Sequence, residues 1–393
     1  MKTVKKWMSI NWLIACGYGL SITAVLTVLW TKLDSLVPGL SSMEVSQYGS
    51  SAMAKTILEN PLYLPQKVLQ LTGYLLGLDP VIALRGASTI LGILTLFALY
   101  YVLKTWYSRR VAIFGAILLL SSDWFLHIVR HGSTAASYLS LMLALSCIVW
   151  IQKSRASTLS ILIGTAVVIA LLYTPGMVWF VAPLVLWRAK WILGKLRVQK
   201  PTIIALCIVS GLLALAPLAL ALVSHPEIVR VYLGFPETWP SVITIIKQIT
   251  AVPFHIFVKS PPGYEYHLAT LAYVGWFIGA LFTIGIYAYF FQRKLDRTVL
   301  LSYILAVGTI LIGLGGNVHI ALLLPFIILV AAGGLALMLQ QWFTVFPRNP
   351  FARNVGTVLM LLALGTASFY GINKYYVAWS NAPETKRLFQ HKL

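Results

Sequence analysis

A chain of 393 residues with 59% hydrophobic and 10% charged side chains lies far from the soluble mixture of about 45–50% apolar and 25% charged residues. Too few polar side chains exist to coat a water-facing surface, which excludes a soluble domain. Thirty Lys and Arg against ten Asp and Glu give a net charge of +20, which membrane topology accounts for without any nucleic-acid partner.

The apolar residues come in blocks long enough to cross hydrocarbon, which takes roughly 20 residues. About eleven candidate spans follow in chain order, near 9–31, 81–103, 111–128, 135–151, 157–173, 175–188, 202–223, 268–291, 298–314, 317–340 and 354–377. Lys2, Lys5 and Lys6 precede the first run as they would in a signal peptide. That run is as long as a full span and lacks a small-residue cleavage site, so it reads as a retained helix. The segments between alternate spans collect Lys104, Arg109, Arg110, Lys153, Arg155, Arg188, Lys190, Lys195, Arg197, Lys200, Arg293, Lys294 and Arg297, with Asp296 the one acid among them. By the positive-inside rule the amino terminus is cytoplasmic and, with an odd number of spans, the carboxyl terminus extracytoplasmic. A multi-pass protein of the plasma (inner) membrane is expected, with 1–393 as one integral membrane domain. Cys16, Cys147 and Cys207 all fall inside spans and form no metal or disulfide pattern. Tryptophans near span ends, such as Trp7, Trp30, Trp187 and Trp379, suit the interface.

Two outer segments stand out by length, 32–80 and 224–267, and loops of that length usually carry function or their own structure. Val68, Leu71 and Leu75 share one face of 66–77, and Val242, Ile245, Ile246 and Ile249 share one face of 240–250, where Pro240 suits a first helical turn. Both read as interfacial helices on the outer membrane surface. Ser41-Ser42-Met43-Glu44 matches a capping box at the start of a helix. Pro261-Pro262-Gly263-Tyr264 reads as a turn into the eighth span.

An acid on a helix opening the first outer loop is followed by Gly77-Leu78-Asp79 and by Ala83-Leu84-Arg85-Gly86-Ala87-Ser88. After them come a basic turn at Ser108-Arg109-Arg110 and the stretch His127-Ile128-Val129-Arg130-His131-Gly132. This order resembles the first third of the dolichyl- or polyprenyl-phosphate-sugar glycosyltransferases, the protein O-mannosyltransferase-like, family 39 branch of the GT-C membrane fold. Tyr173-Thr174-Pro175-Gly176 and His319-Ile320-Ala321-Leu322-Leu323-Leu324-Pro325 look like later landmarks. The resemblance covers about the first 180 residues by motif and the remainder by layout. It implies an all-α, polytopic bundle of GT-C type. The reaction it implies moves a sugar from a polyprenyl-phosphate donor to a glycan, lipid or protein acceptor outside the membrane, with no cofactor and no metal.

One departure is plain. The family usually carries an Asp-Glu pair in the first outer loop, and here the Asp position is Met43, followed by Glu44. The resemblance therefore makes Glu44 the candidate catalytic base, with its capping role as the alternative. A donor with an anionic leaving group calls for cations as well as a base. Arg85, Arg130, His131, Lys259, His267 and His319 are the candidates on the outer side, with Tyr48 beside Glu44; an arginine fork suits phosphate best. No P-loop, Gly-x-Ser-x-Gly, His-Glu-x-x-His or paired-cysteine motif competes. A lipid or glycan transporter or flippase, and a non-catalytic partner on the same fold, remain the alternatives; no internal repeat of the transporter kind is visible.

Overall fold

The computed structural model describes residues 16–17, 19–154, 157–197, 199–292 and 295–392. Lys2, Lys5, Lys6, Trp7 and the start of the first span, with Arg155, Arg293 and Lys294, lie outside the described residues. Helices dominate, and the one sheet among the described residues is an antiparallel hairpin, Lys259–Gly263 with Ala269–Leu271. Among the described residues six helices are long and apolar enough to cross a bilayer: Pro80–Trp106, Thr134–Lys153, Pro201–Ser224, Asp296–Gly313, Ile320–Val345 and Pro350–Trp379. The pair Arg109–Ser121 and Asp123–Val129 makes a seventh if it counts as one. Gly19–Trp30, Thr158–Leu172, Val178–Trp187 and Trp276–Phe291 are apolar but shorter. Six or seven full-length crossings are thus seen where apolar runs alone suggest eleven spans.

Hydropathy does not say which helices are central. Ile320–Val345 and Pro201–Ser224 are equally apolar, yet 83% of the most apolar 18-residue stretch is buried in protein in Ile320–Val345 against 6% in Pro201–Ser224. Lipid tails and protein interior are equally apolar solvents, so small residues and polar pairs decide which helices pack together. Trp276–Phe291 crosses Leu324–Val345 where Gly285 and Gly334 face each other's backbones; a Cβ on either would run into the carbonyl of Val330 or Leu281.

Three sequence expectations change. The third span is not a single helix: it bends by 67° at Ser122, whose extended ψ of 123° ends one helix and starts the next. At the break Asp123 meets Lys374 at 2.7 Å, an ion pair buried on both sides that ties the bend to the last long helix. The eighth span begins at Trp276, because Ala269–Leu271, apolar enough to read as span, pairs instead with Lys259–Gly263. Pro261-Pro262-Gly263 is accordingly strand rather than turn.

The first outer loop carries helices Ser42–Ser51, Ala54–Glu59 and Leu64–Leu75. In the last of these the polar face is buried, through Gln66, Lys67 and Gln70, while Val68 and Leu75 are exposed. Gln66 donates to Ser88 Oγ at 3.0 Å and to the Ser133 carbonyl at 2.6 Å, and accepts from Ser137 Oγ at 2.6 Å. Polar inside and apolar outside is the arrangement of a helix resting on lipid. In the second loop, Val242–Phe257 starts two residues later than expected, capped by Ser241 rather than led by Pro240, and exposes Val242, Ile243 and Ile246.

Candidate functional site

At one end of the bundle the first outer loop, the start of Pro80–Trp106, the end of Asp123–Val129 and the end of Pro350–Trp379 converge. Glu44 lies at their centre and is fully buried. It enters as the third residue of its helix, with Ser41 Oγ accepting from the Glu44 amide at 3.2 Å and Glu44 reaching back to the Ser41 amide at 3.1 Å. The carboxylate also takes Arg85 Nε at 2.8 Å and Nη2 at 3.0 Å, a two-pronged pairing, and the Gly132 amide at 2.8 Å. Gly132 has to be glycine for this approach, since a Cβ there would overlap Leu84 and lie 3.2 Å from Glu44 Oε1. Burial alone would raise the Glu44 pKa. The His131 imidazole, the Arg85 guanidinium and the Gly132 amide outweigh it and hold the group down at about 2.

Both arginines expected to bind phosphate are engaged with the protein. Arg85 spends its remaining reach on the carbonyls of Leu33 and Gly39, at 2.9 and 2.8 Å. Arg130 donates from Nη1 to the Val28 and Leu29 carbonyls, from Nη2 to those of Thr31 and Lys32, and from Nε to the Tyr375 hydroxyl. All five of its N–H groups are thereby used, and with the Tyr376 hydroxyl, which also donates to the Val28 carbonyl, they close the end of the Gly19–Trp30 helix. Its guanidinium also lies 4.9 Å from the Tyr376 ring. A π-helical turn, Lys374–Trp379, brings these aromatic side chains to the site.

His131 sits between the two outer loops. Its Nδ1 accepts from the Ser133 amide at 3.3 Å, which leaves the proton of the neutral ring on Nε2. That nitrogen faces Ser41 Oγ at 3.1 Å and Glu265 Oε1 at 3.6 Å. Burial drives the His131 pKa down, against the opposite pull of Glu44 and Glu265. Glu265 stands at the tip of the hairpin, between two pinned neighbours. The Tyr264 carbonyl accepts from Trp379 Nε1 at 2.6 Å, and the Tyr266 hydroxyl donates to Ser133 Oγ at 2.7 Å. Tyr266 also touches Met43 Sδ at 3.6 Å and packs edge-on against His319, centroids 4.6 Å apart. A small cavity of about 10 Å³, room for about one water, opens here. Arg85, His127, Arg130, His131, Glu265 and Tyr375 are among its walls. Neither ring nitrogen of His127 has a hydrogen-bond partner; its ring meets Tyr375 and Trp379 edge-on.

No family model matches the sequence, and no curated protein matches it. Solved structures do. ArnT from Cupriavidus metallidurans in the apo state superposes with a TM-score of 0.58 over 95% of this chain and 77% of that one, at 14% identity. The same protein bound to undecaprenyl phosphate gives 0.56 over 96% and 77%, at 13% identity. The fold is that of ArnT. The GT-C architecture implied by the resemblance is therefore present, and at such identity the likeness is one of fold.

Within this ArnT fold, the structure brings Glu44, Arg85, Arg130 and His131 into one cluster, with His319 joined through Tyr266. Burial lowers the His319 pKa to about 4, with His131 adding to the shift, and its Nδ1 accepts from the Ala321 amide at 3.0 Å. Three expected residues fall elsewhere. Tyr48 packs edge-on against Tyr74, Lys259 is exposed at the hairpin base, and His267 braces the hairpin through the Pro261 carbonyl at 2.7 Å. Lys67, which no motif marks, is a buried amine whose Nζ donates to the Asn60 carbonyl at 2.7 Å. Burial lowers its pKa to about 8. Its signal was its place among glutamines on the polar face of 66–77.

Proposed function

We propose that this protein is a membrane glycosyltransferase that moves a sugar from a polyprenyl-phosphate carrier to an acceptor on the extracytoplasmic side. The observation that carries this reading is the buried polar cluster itself. In a chain with 10% charged residues, two arginines, three histidines and two carboxylates gather at one bundle end, beneath helices that turn apolar faces outward. Intramembrane and near-membrane charges are expensive and mark functional sites. The fold it shares with ArnT, of which one structure is bound to undecaprenyl phosphate, supports a lipid-phosphate donor.

In this reading Arg85 and Arg130, both in the walls of the pocket, supply positive field to a phosphate there. Glu44 is the anion that fixes Arg85 and the first loop. With four donors already on its oxygens it is poorly disposed to accept a proton. The test is the full-length protein in lipid nanodiscs, given a panel of polyprenyl-phosphate hexoses and pentoses. Free polyprenyl phosphate should accumulate with water or an added alcohol as acceptor. Movement of intact donor across a proteoliposome membrane without cleavage would instead establish a flippase.

A further inference from the structure

Resting on that reading, we propose that Glu265, at the tip of the 259–271 hairpin, is the general base that takes the acceptor's proton. The first outer loop holds Met43 where the resembled family has its acid, and Glu44 beside it is locked in place. Glu265 has the opposite character. Its Oε1 is buried with no hydrogen-bond donor among the described residues, and its side chain remains 24% exposed, so it reaches both the pocket and the outside. A carboxylate oxygen left unpaired in the interior is costly to the fold, and such atoms persist where a ligand or a reaction uses them.

The hairpin holds this carboxylate at a defined place. Trp379 fixes the residue before it and Ser133 the residue after it. The Tyr266 hydroxyl meets both Ser133 Oγ and Met43 Sδ, and His131 Nε2 faces both Glu265 and Ser41, so the hairpin tip packs beside the 41–43 stretch in which the loop acid is missing. A merely structural ion pair with His131 explains less. Nε2 and Oε1 are 3.6 Å apart, beyond a good hydrogen bond.

The step balances without a metal or an external co-reactant. The acceptor O–H gives its proton to Glu265 as its oxygen bonds to the anomeric carbon. The bond from that carbon to the phosphate oxygen breaks with its electron pair on the phosphate. Polyprenyl phosphate leaves, and the proton passes from Glu265 to water or to the departing phosphate.

Wild type, Glu265→Gln and Glu265→Asp are compared as full-length protein in nanodiscs, with the donor panel above and water as acceptor. Release of polyprenyl phosphate, polyprenyl-phosphate binding and the unfolding midpoint are read on each sample. Glu265→Gln should lose about 10²–10⁴-fold in turnover. Binding should stay within about twofold and the midpoint near that of wild type, with Glu265→Asp keeping part of the activity. Normal turnover in Glu265→Gln beside an active wild type overturns the base assignment alone. So does a loss that both variants show in step with weaker binding or a lower midpoint, which makes the residue structural. A wild type that releases polyprenyl phosphate from no donor overturns the glycosyltransferase reading, and Glu265 falls with it.

Discussion

The first outer loop and the hairpin of the second each present one carboxylate to His131, and the two acids are treated in opposite ways. Glu44 is fully buried, accepts four hydrogen bonds and is held down at about pKa 2 by its cationic and amide neighbours. Glu265 is partly exposed, and one of its oxygens has no donor. Saturation of a buried charge is what architecture requires, because an unpaired ion in a low-dielectric interior is destabilising. An unsatisfied one beside a pocket leaves valence for a ligand. The contrast turns a pair of acids that look alike in the sequence into a lock and a working group.

Breaking the lock should give the largest effect on stability. Glu44→Gln leaves the Arg85 guanidinium buried without a counter-charge and should cost about 3–5 kcal/mol, read as a lower unfolding midpoint in mild detergent. Restoring near-wild-type stability by the double change Glu44→Gln, Arg85→Met would show that the cost lies in the orphaned charge. An unchanged midpoint in Glu44→Gln alone would end the view of Glu44 as the lock. Gly132→Ala attacks the same lock from the backbone. Its methyl would overlap Leu84 and press on Glu44 Oε1, at a cost of about 1–3 kcal/mol.

The hairpin should respond differently. Tyr266→Phe removes the hydroxyl that donates to Ser133 and should cost about 0.5–1.5 kcal/mol. Turnover should fall by more than that stability change explains, because the hairpin tip is freed; turnover at the wild-type level per folded molecule would detach the hairpin from the chemistry. A pH dependence of stability is expected as well. The folded His319 value of about 4 lies below the ordinary imidazole value near 6.5, so between the two the unfolded chain binds more protons. Its contribution is full above about pH 6.5 and is lost as pH falls toward about 4; the depressed Glu44 adds a further loss between about pH 4.3 and about 2. Unfolding midpoints measured from pH 7.5 to 4 should decline over the first window in wild type and less so in His319→Asn.

Much of this was legible in the sequence because the signals are local. Apolar runs mark the spans, the spacing from Ser41 to Glu44 marks a capped helix, and the period of Val68, Leu71 and Leu75 marks a helix with an apolar face. These patterns depend on a few consecutive residues and on the length scale of a bilayer. The resemblance carried by the stretches around Arg85 and Arg130 led to the GT-C layout for the same reason, since the motifs are contiguous.

What the sequence by itself determined, then, is a membrane-spanning helical chain, its two long segments between spans, and the approximate company of Glu44, Arg85, Arg130 and His131. The tertiary structure alone decided which groups are spent and which are spare. Arg130 turns out to close the end of Gly19–Trp30, about a hundred residues earlier in the chain, and Ala269–Leu271 leaves a predicted span to pair with Lys259–Gly263. The bend at Ser122 is stabilised by Lys374, again from far along the chain. Hydrogen-bond saturation is a property of all the neighbours a group acquires on folding. Residue type and spacing therefore could not separate Glu44 from Glu265, and three-dimensional packing did.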